Sequence, residues 1–281
     1  MKTFDRAAED VGNVLALEHV NLTVPDQGLA ALFYVTGLGF TRDPYIDFGT
    51  RNMWINVGAQ QFHLPLGEAQ VFRGHIDVVV PDLDDLGRRL DRLARPLSGT
   101  RFDVRRHDQI VRVTCPWGND IRAHAPADFP PMALGMPLLE VQVPTGTSAA
   151  IARFYRDVIG CPAADADGLA RVRVGANQTL AFRETGEAIA AYDGHHVAVY
   201  LANFSAPHRY LAERGLISEE SDQHQYRFQA IIDPESGETL TELEHEVRSM
   251  AHPMFNRPLV NRNPAVDFFS YRQGKEVFTP A

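Results

Sequence analysis

The side chains with the most chemistry to offer in this 281-residue sequence are histidines and acidic residues in short alternating segments. His19 lies in Leu17-Glu18-His19-Val20-Asn21-Leu22-Thr23-Val24-Pro25, and His75 in Gly74-His75-Ile76-Asp77-Val78. Glu140 lies in Leu138-Leu139-Glu140-Val141-Gln142-Val143-Pro144, and His196 in His195-His196-Val197-Ala198-Val199. Imidazoles and carboxylates are the groups that move protons near neutral pH or ligate divalent cations. In each segment the polar residue opposes an apolar face, as strand alternation requires. His195 is therefore expected to be exposed on the face opposite His196.

These residues belong to an internal repeat. His19 and Glu140, Phe33-Tyr34 and Phe154-Tyr155, and His75 and His196 are each separated by 121 positions. Three landmarks in one order at one offset indicate duplication rather than coincidence. Each copy has the same local plan. Asp26 can cap a helix ending at Gly37, and Thr147 or Ser148 one ending at Gly160. Ile151, Phe154 and Val158 have helical spacing, as do Leu83, Leu86, Leu90 and Leu93. Strands are expected at 75–80, 109–115 and 120–124, and again at 196–201, 225–232 and 239–244, with a helix at about 205–215 between them. The chain thus reads as α+β, with four strand-helix-strands modules. The modules are expected to pair as two domains, 14–126 and 136–247. Pro126 to Pro137 reads as the linker, and 248–281 as an extended arm packed on a domain or on the second subunit of a homodimer.

Bulk composition narrows the function classes. A net charge of -9 without long Lys/Arg runs argues against nucleic acid as a partner. The N-terminal stretch lacks a signal-peptide core, and no apolar run reaches membrane length, so a cytoplasmic setting is expected. Cys115 and Cys161 lack the CxxC spacing of a structural zinc site and are expected to be reduced thiols.

In order and spacing, the landmarks resemble the vicinal-oxygen-chelate superfamily, which groups glyoxalases, bleomycin-resistance proteins and extradiol dioxygenases. The first copy supplies His19-Val20, Phe33-Tyr34, Gly37 to Phe40, His75 and Pro116-Trp117-Gly118-Asn119. The second supplies Glu140-Val141, Phe154-Tyr155, His196-Val197-Ala198, Asp233-Pro234, Gly237 and Glu242-Leu243. The likeness spans all but the N-terminal stub and the C-terminal arm. It implies βαβββ modules paired as two tandem vicinal-oxygen-chelate domains, each pair curled into a cup. Strand residues facing the cup can bind a divalent metal.

Carried over residue by residue, the resemblance implies a metal site at Glu140, His196 and Glu242, with Glu244 as a substitute for the last. Two carboxylates and an imidazole suit a hard or borderline ion, with Fe(2+) first and Mn, Ni or Zn as alternatives. A second site is implied at His19, His63, His75 and His124, where Arg122 stands at the usual glutamate position and would repel a cation. His224 and Tyr226, before the Asp233-Pro234 turn, match the histidine and tyrosine that assist catechol deprotonation in ring-cleaving dioxygenases; His107 is the comparable residue of the first copy.

Three functions for a small-molecule partner follow from the resemblance. The first is an extradiol-type, catechol-cleaving dioxygenase. The second is a glyoxalase- or epimerase-type lyase or isomerase, in which a metal polarises a carbonyl. The third is a non-catalytic protein that holds an aromatic ligand against Phe33, Trp54, Phe62, Phe182 and Tyr200.

Overall fold

A computed structural model describes residues 4–47, 49, 51–107 and 109–259. The first module comprises β1 (Val14–Asn21), helix α1 (Gln27–Ala30, continuing to Gly37), β2 (Thr41–Asp47), β3 (Asn52–Val57) and β4 (Gln60–Pro65). The second holds β5 (Gly74–Val79), α2 (Leu83–Asp91), β6 (Asp103–His107), β7 (Ile110–Thr114) and β8 (Asp120–His124). The third holds β9 (Gly135–Pro144), α3 (Ser148–Arg153, continuing to Ile159), β10 (Ala163–Ala166), β11 (Leu169–Arg173) and β12 (Thr179–Thr185). The fourth holds β13 (His196–Leu201), α4 (Ser205–Ala212), β14 (Ile217–Asp222), β15 (Gln225–Ile232) and β16 (Thr239–Ser249). This is the α+β, four-module plan expected from the repeat.

Local chemistry explains the helices. The Asp26 carboxylate accepts from Leu29 N, and Asp82 from Asp85 N, so both helices start on the expected type of cap. The two module-leading helices then widen: Leu38 N–H donates to Phe33 O, and Gly160 N–H to Tyr155 O, each five residues back. Gly160 ends the second of these at φ 86°, a left-handed conformation suited to glycine. Thr147 makes no side-chain cap there.

The sheets do not divide where the linker does. One runs β14-β15-β16-β13-β1-β4-β3-β2 and the other β10-β11-β12-β9-β5-β8-β7-β6. The outer modules, first and fourth, therefore share one eight-stranded sheet, and the inner modules share the other. Neither sheet is confined to 14–126 or 136–247. Each joint is antiparallel: β1 lies beside β13 and β5 beside β9. At the second joint a Cβ on Gly74 would fall 1.8 Å from Glu140 O, so glycine permits the approach.

In the first sheet β1 and β4 are parallel, with His19 opposite Gln61. Strands β13 and β16 are also parallel, pairing His196 with Glu244, Ala198 with Glu246 and Tyr200 with Arg248. The apolar face, including Val20, Phe62, Val197, Leu243 and Val247, is buried in the core. The polar face of those strands forms the concave side. Strand β16 runs five residues past the expected end at Glu244. Among the described residues, no helix is long and apolar enough to cross a membrane.

Candidate metal centre

His19, His196 and Glu246 converge where the outer modules meet. One ligand atom from each lies within 4.8 Å of the others. All three are buried, at 0%, 7% and 4% exposure. Strand geometry places them. The β1–β13 register skips a residue between Leu17 and His19, and this bulge brings Glu18 beside His19. On β16, alternation sends Leu243, His245 and Val247 to the core and leaves Glu244, Glu246 and Arg248 for the cup.

The surroundings prepare the three groups for a cation. His19 Nδ1–H donates to Glu18 Oε2 at 2.9 Å, which leaves its Nε2 lone pair unshared. The Nε2 atoms of both His19 and His196 are buried without a hydrogen-bond partner. A buried nitrogen left in this way is costly unless something accepts its lone pair. Burial lowers the pKa of His19 and so favours the neutral form that ligates. Glu246 is held by the guanidinium groups of Arg227 and Arg248. Burial opposes its charge, but His196, Arg248, His19 and Arg227 outweigh burial and keep it ionised well below the usual carboxylate range. Glu18 is also ionised: burial would raise its pKa, yet Arg248 and His19 bring it to about 2. Arg248 Nη1 donates to Glu18 Oε2, and the Tyr200 hydroxyl donates to Glu18 Oε1 at 3.0 Å. A carboxylate-oriented imidazole and an arginine-fixed carboxylate make a rigid, pre-shaped set.

Two rings wall the site. His63 stacks on His19, and Trp54 on the other side of His63, each with centroids 3.6 Å apart. His63 Nε2 bonds Gln61 Oε1 at 3.1 Å, so His63 serves as a flat wall beside the triad. Burial, with nearby cationic groups, depresses its pKa strongly.

The structure redistributes the residues expected from sequence. Glu140 and His196 lie in different sheets, so Glu140, His196 and Glu242 do not meet. The reason is module pairing, which puts Glu140 directly opposite His75. The Glu242 carboxylate instead accepts from Gln229 at 2.6 Å. The other expected set divides too: His19 and His63 sit in the first sheet, His75 and His124 in the second. There His75 lies 3.8 Å from Glu140 and 3.4 Å from Asp77, which contacts His124 at 3.0 Å. Arg122 pairs with Asp120, and Arg183 lies 3.8 Å from Glu140. His224 occupies the β14–β15 turn. Tyr226 is buried against Phe204 and His208, because alternation on β15 gives Arg227 to the cup and Tyr226 to the helix side. His107 is exposed at the end of β6, and His195 is fully buried and bonded to Asp193. Cys115 and Cys161 are buried free thiols. The sequence reasoning missed Glu246, Glu18 and Arg248. The signal available for Glu246 was the alternation of Leu243, His245 and Val247 with charged neighbours.

His245, one residue from Glu246, is a core histidine. Its Nδ1–H donates to Leu243 O and its Nε2 accepts from the Tyr155 hydroxyl, both at 2.7 Å. Burial lowers its pKa from 6.5 to about 4. In the unfolded chain it takes up a proton that the folded chain refuses between those values. Stability of the metal-free protein should therefore fall as pH drops from about 6.5 towards 4, with His245 contributing on the order of 3 kcal/mol at the limit. Urea midpoints at several pH values check this; a His245→Gln variant should fall less steeply, and an identical slope would count against the assignment.

Comparison with solved structures now places the fold. A protein from Bacillus subtilis subsp. subtilis str. 168, provisionally described as a dioxygenase, matches with TM-score 0.58 and 13% identity, over 88% of this chain and 87% of that one. Glyoxalase I from Zea mays matches with TM-score 0.57 and 13% identity, over 83% and 92%. A point mutant of that maize enzyme gives 0.56 and 12% over the same shares, 83% and 92%. No family model and no curated protein sequence matches the chain. These neighbours share the fold of this chain: two mixed sheets assembled from four βαβββ modules.

Proposed function

We propose that this protein is a metal-dependent enzyme of the extradiol dioxygenase type, acting on a small molecule with adjacent oxygens in the cup between β1–β4 and β13–β16. The observation that carries the proposal is the pair of buried histidine Nε2 atoms without a hydrogen-bond partner beside an ionised glutamate, His196 Nε2 lying 3.6 Å from Glu246 Oε2. Two histidines and one carboxylate with open positions are the ligand set of non-haem iron oxygenases. The donor set fits Fe(2+) best, and Mn, Ni and Zn are the other ions to test. When bound, iron would supply Lewis acidity towards a pair of substrate oxygens and a one-electron path between the substrate, which is the net reductant, and oxygen.

The chain's own residues do the rest. Glu18 fixes the His19 ring, Arg227 and Arg248 fix Glu246, and the His63–Trp54 stack offers a flat surface for a ring. A glyoxalase- or epimerase-type reaction needs a carboxylate basic enough to take a proton. Glu18 and Glu246 are both held ionised by arginine, which makes them weak bases and favours the oxygenase reading.

The test is anaerobic reconstitution with Fe(2+), followed by oxygen uptake with catechol and 4-methylcatechol. We expect stoichiometric oxygen consumption with a coloured ring-opened product. Metal-dependent isomerisation of a thiol–ketoaldehyde adduct, without oxygen consumption, would favour the glyoxalase-type reaction instead. Retention of catechol with neither reaction would leave a binding protein.

A further inference from the structure

Beside Glu18 and Gln61, which contact His19 and His63, lies a cavity of about 480 Å³ that reaches to Ala16 and Tyr200. Its walls include Ala16, Glu18, Gln61, Tyr200, Met254 and Leu259. One whole wall, Met254 and Asn256 to Leu259, comes from the segment that follows β16. That segment is anchored to the outer strands of the first module. Arg257 and Asp43 form an ion pair with side chains 2% and 0% exposed. Asn56 Nδ2 donates to Leu259 O at 3.1 Å. The Phe255 ring packs 5.0 Å from Tyr200, and the Arg257 guanidinium lies 5.9 Å from the Trp54 ring. The wall is thus fastened to the same Trp54–His63 stack that flanks His19.

The charges lining this cavity are already matched, Glu18 with Arg248 and Arg257 with Asp43. The Gln61 amide is engaged as well: its Nε2 donates to Asp43 and Asn56, and its Oε1 contacts His63. Gln60 Oε1 accepts from Met136 N at 3.0 Å. The lining Arg257 is already paired with Asp43, so an anionic group entering here would lose its water and have to compete with that carboxylate for the guanidinium. Ala16, Ala59, Met254, Pro258 and Leu259 instead offer apolar surface. The volume is within the usual range for small-molecule pockets.

We infer that this cavity receives an uncharged, mainly apolar substituent of the substrate, and that Met254 and Leu259 select for it. The inference rests on the triad being the reaction centre, since that sets which end of the ligand lies here.

The experiment uses metal-free full-length protein and 4-alkylphenols from methyl to hexyl, with binding measured by calorimetry. Affinity should rise roughly fourfold per added methylene until the cavity fills. 4-Alkylbenzoates of equal length should bind at least tenfold more weakly. Ala16→Phe should remove the gain from the longer chains, and Met254→Ala should extend it to a longer one. If Ala16→Phe does not fold, Met254→Ala alone decides. Affinity independent of chain length, equal binding of the benzoates, or no binding at millimolar phenol would overturn the inference. No metal is present in these assays, so their failure is separate from failure of the metal site, which direct metal titration reports.

Discussion

Replacing His196 with alanine, or Glu246 with glutamine, is expected to abolish stoichiometric metal binding. His196→Ala removes one of three convergent ligand atoms, and Glu246→Gln exchanges the one anionic oxygen for a weak neutral amide; the two good donors left in either case cannot hold a divalent ion against water and chelators. The loss in affinity should exceed the roughly 10–100-fold typical of removing an outer partner of a ligand. Glu18→Gln belongs in that lesser class, because Glu18 touches His19 Nδ1 rather than the ion's place. Glu140→Gln and Glu242→Gln, the positions implied by the family pattern, should leave affinity unchanged. Metal analysis after reconstitution and dialysis, with Co(2+) absorption as a spectroscopic check, decides the matter. Full occupancy in Glu246→Gln together with loss in Glu140→Gln would reverse the assignment.

Why the sequence led to Glu140 and Glu242 has a physical answer. Alternation and helix caps are local, so His19, Glu140, His75 and His196 could each be placed on a strand face from neighbouring residues alone. The offset of 121 then exposed the repeat and with it the four modules. Which modules share a sheet is a long-range choice. β1 pairing with β13, and β5 with β9, leaves every module's internal pattern unchanged, so no local signal distinguishes this arrangement from pairing within each half. Glu140 was correctly read as a strand residue and assigned the wrong neighbours. The Glu242 error was one of length. The expected strand stopped at Glu244, whereas β16 continues to Ser249, and its later residues carry the third candidate ligand. Glu18 depends on a bulge, which two-residue periodicity cannot show. Tyr226 shows the opposite case: strict alternation with Arg227 sends it to the helix side, whereas chemical type alone had suggested the cup.

Arg248→Met should be among the most destabilising single changes in the chain. Arg248 is 5% exposed and joins two carboxylates, the partly buried Glu18 through Nη1 and the buried Glu246 through Nη2. Methionine fills much of the volume but leaves two negative charges facing each other with only Arg227 nearby. Removing one partner of a buried ion pair costs about 3–5 kcal/mol. The loss should be visible as a lower urea midpoint in metal-free protein. Two further measurements separate this from simple loss of packing. Co(2+) should stabilise Arg248→Met more than wild type, because the ion restores positive charge beside Glu246. The double variant Glu18→Gln/Arg248→Met should be more stable than the sum of the single changes predicts, since removing Glu18's charge relieves the repulsion that Arg248→Met creates; contacting charged groups commonly couple by about 0.5–3 kcal/mol. Additive effects with an unaltered metal response would mean that Arg248 acts only by filling space, and that the link from Glu18 to Glu246 does not shape the triad.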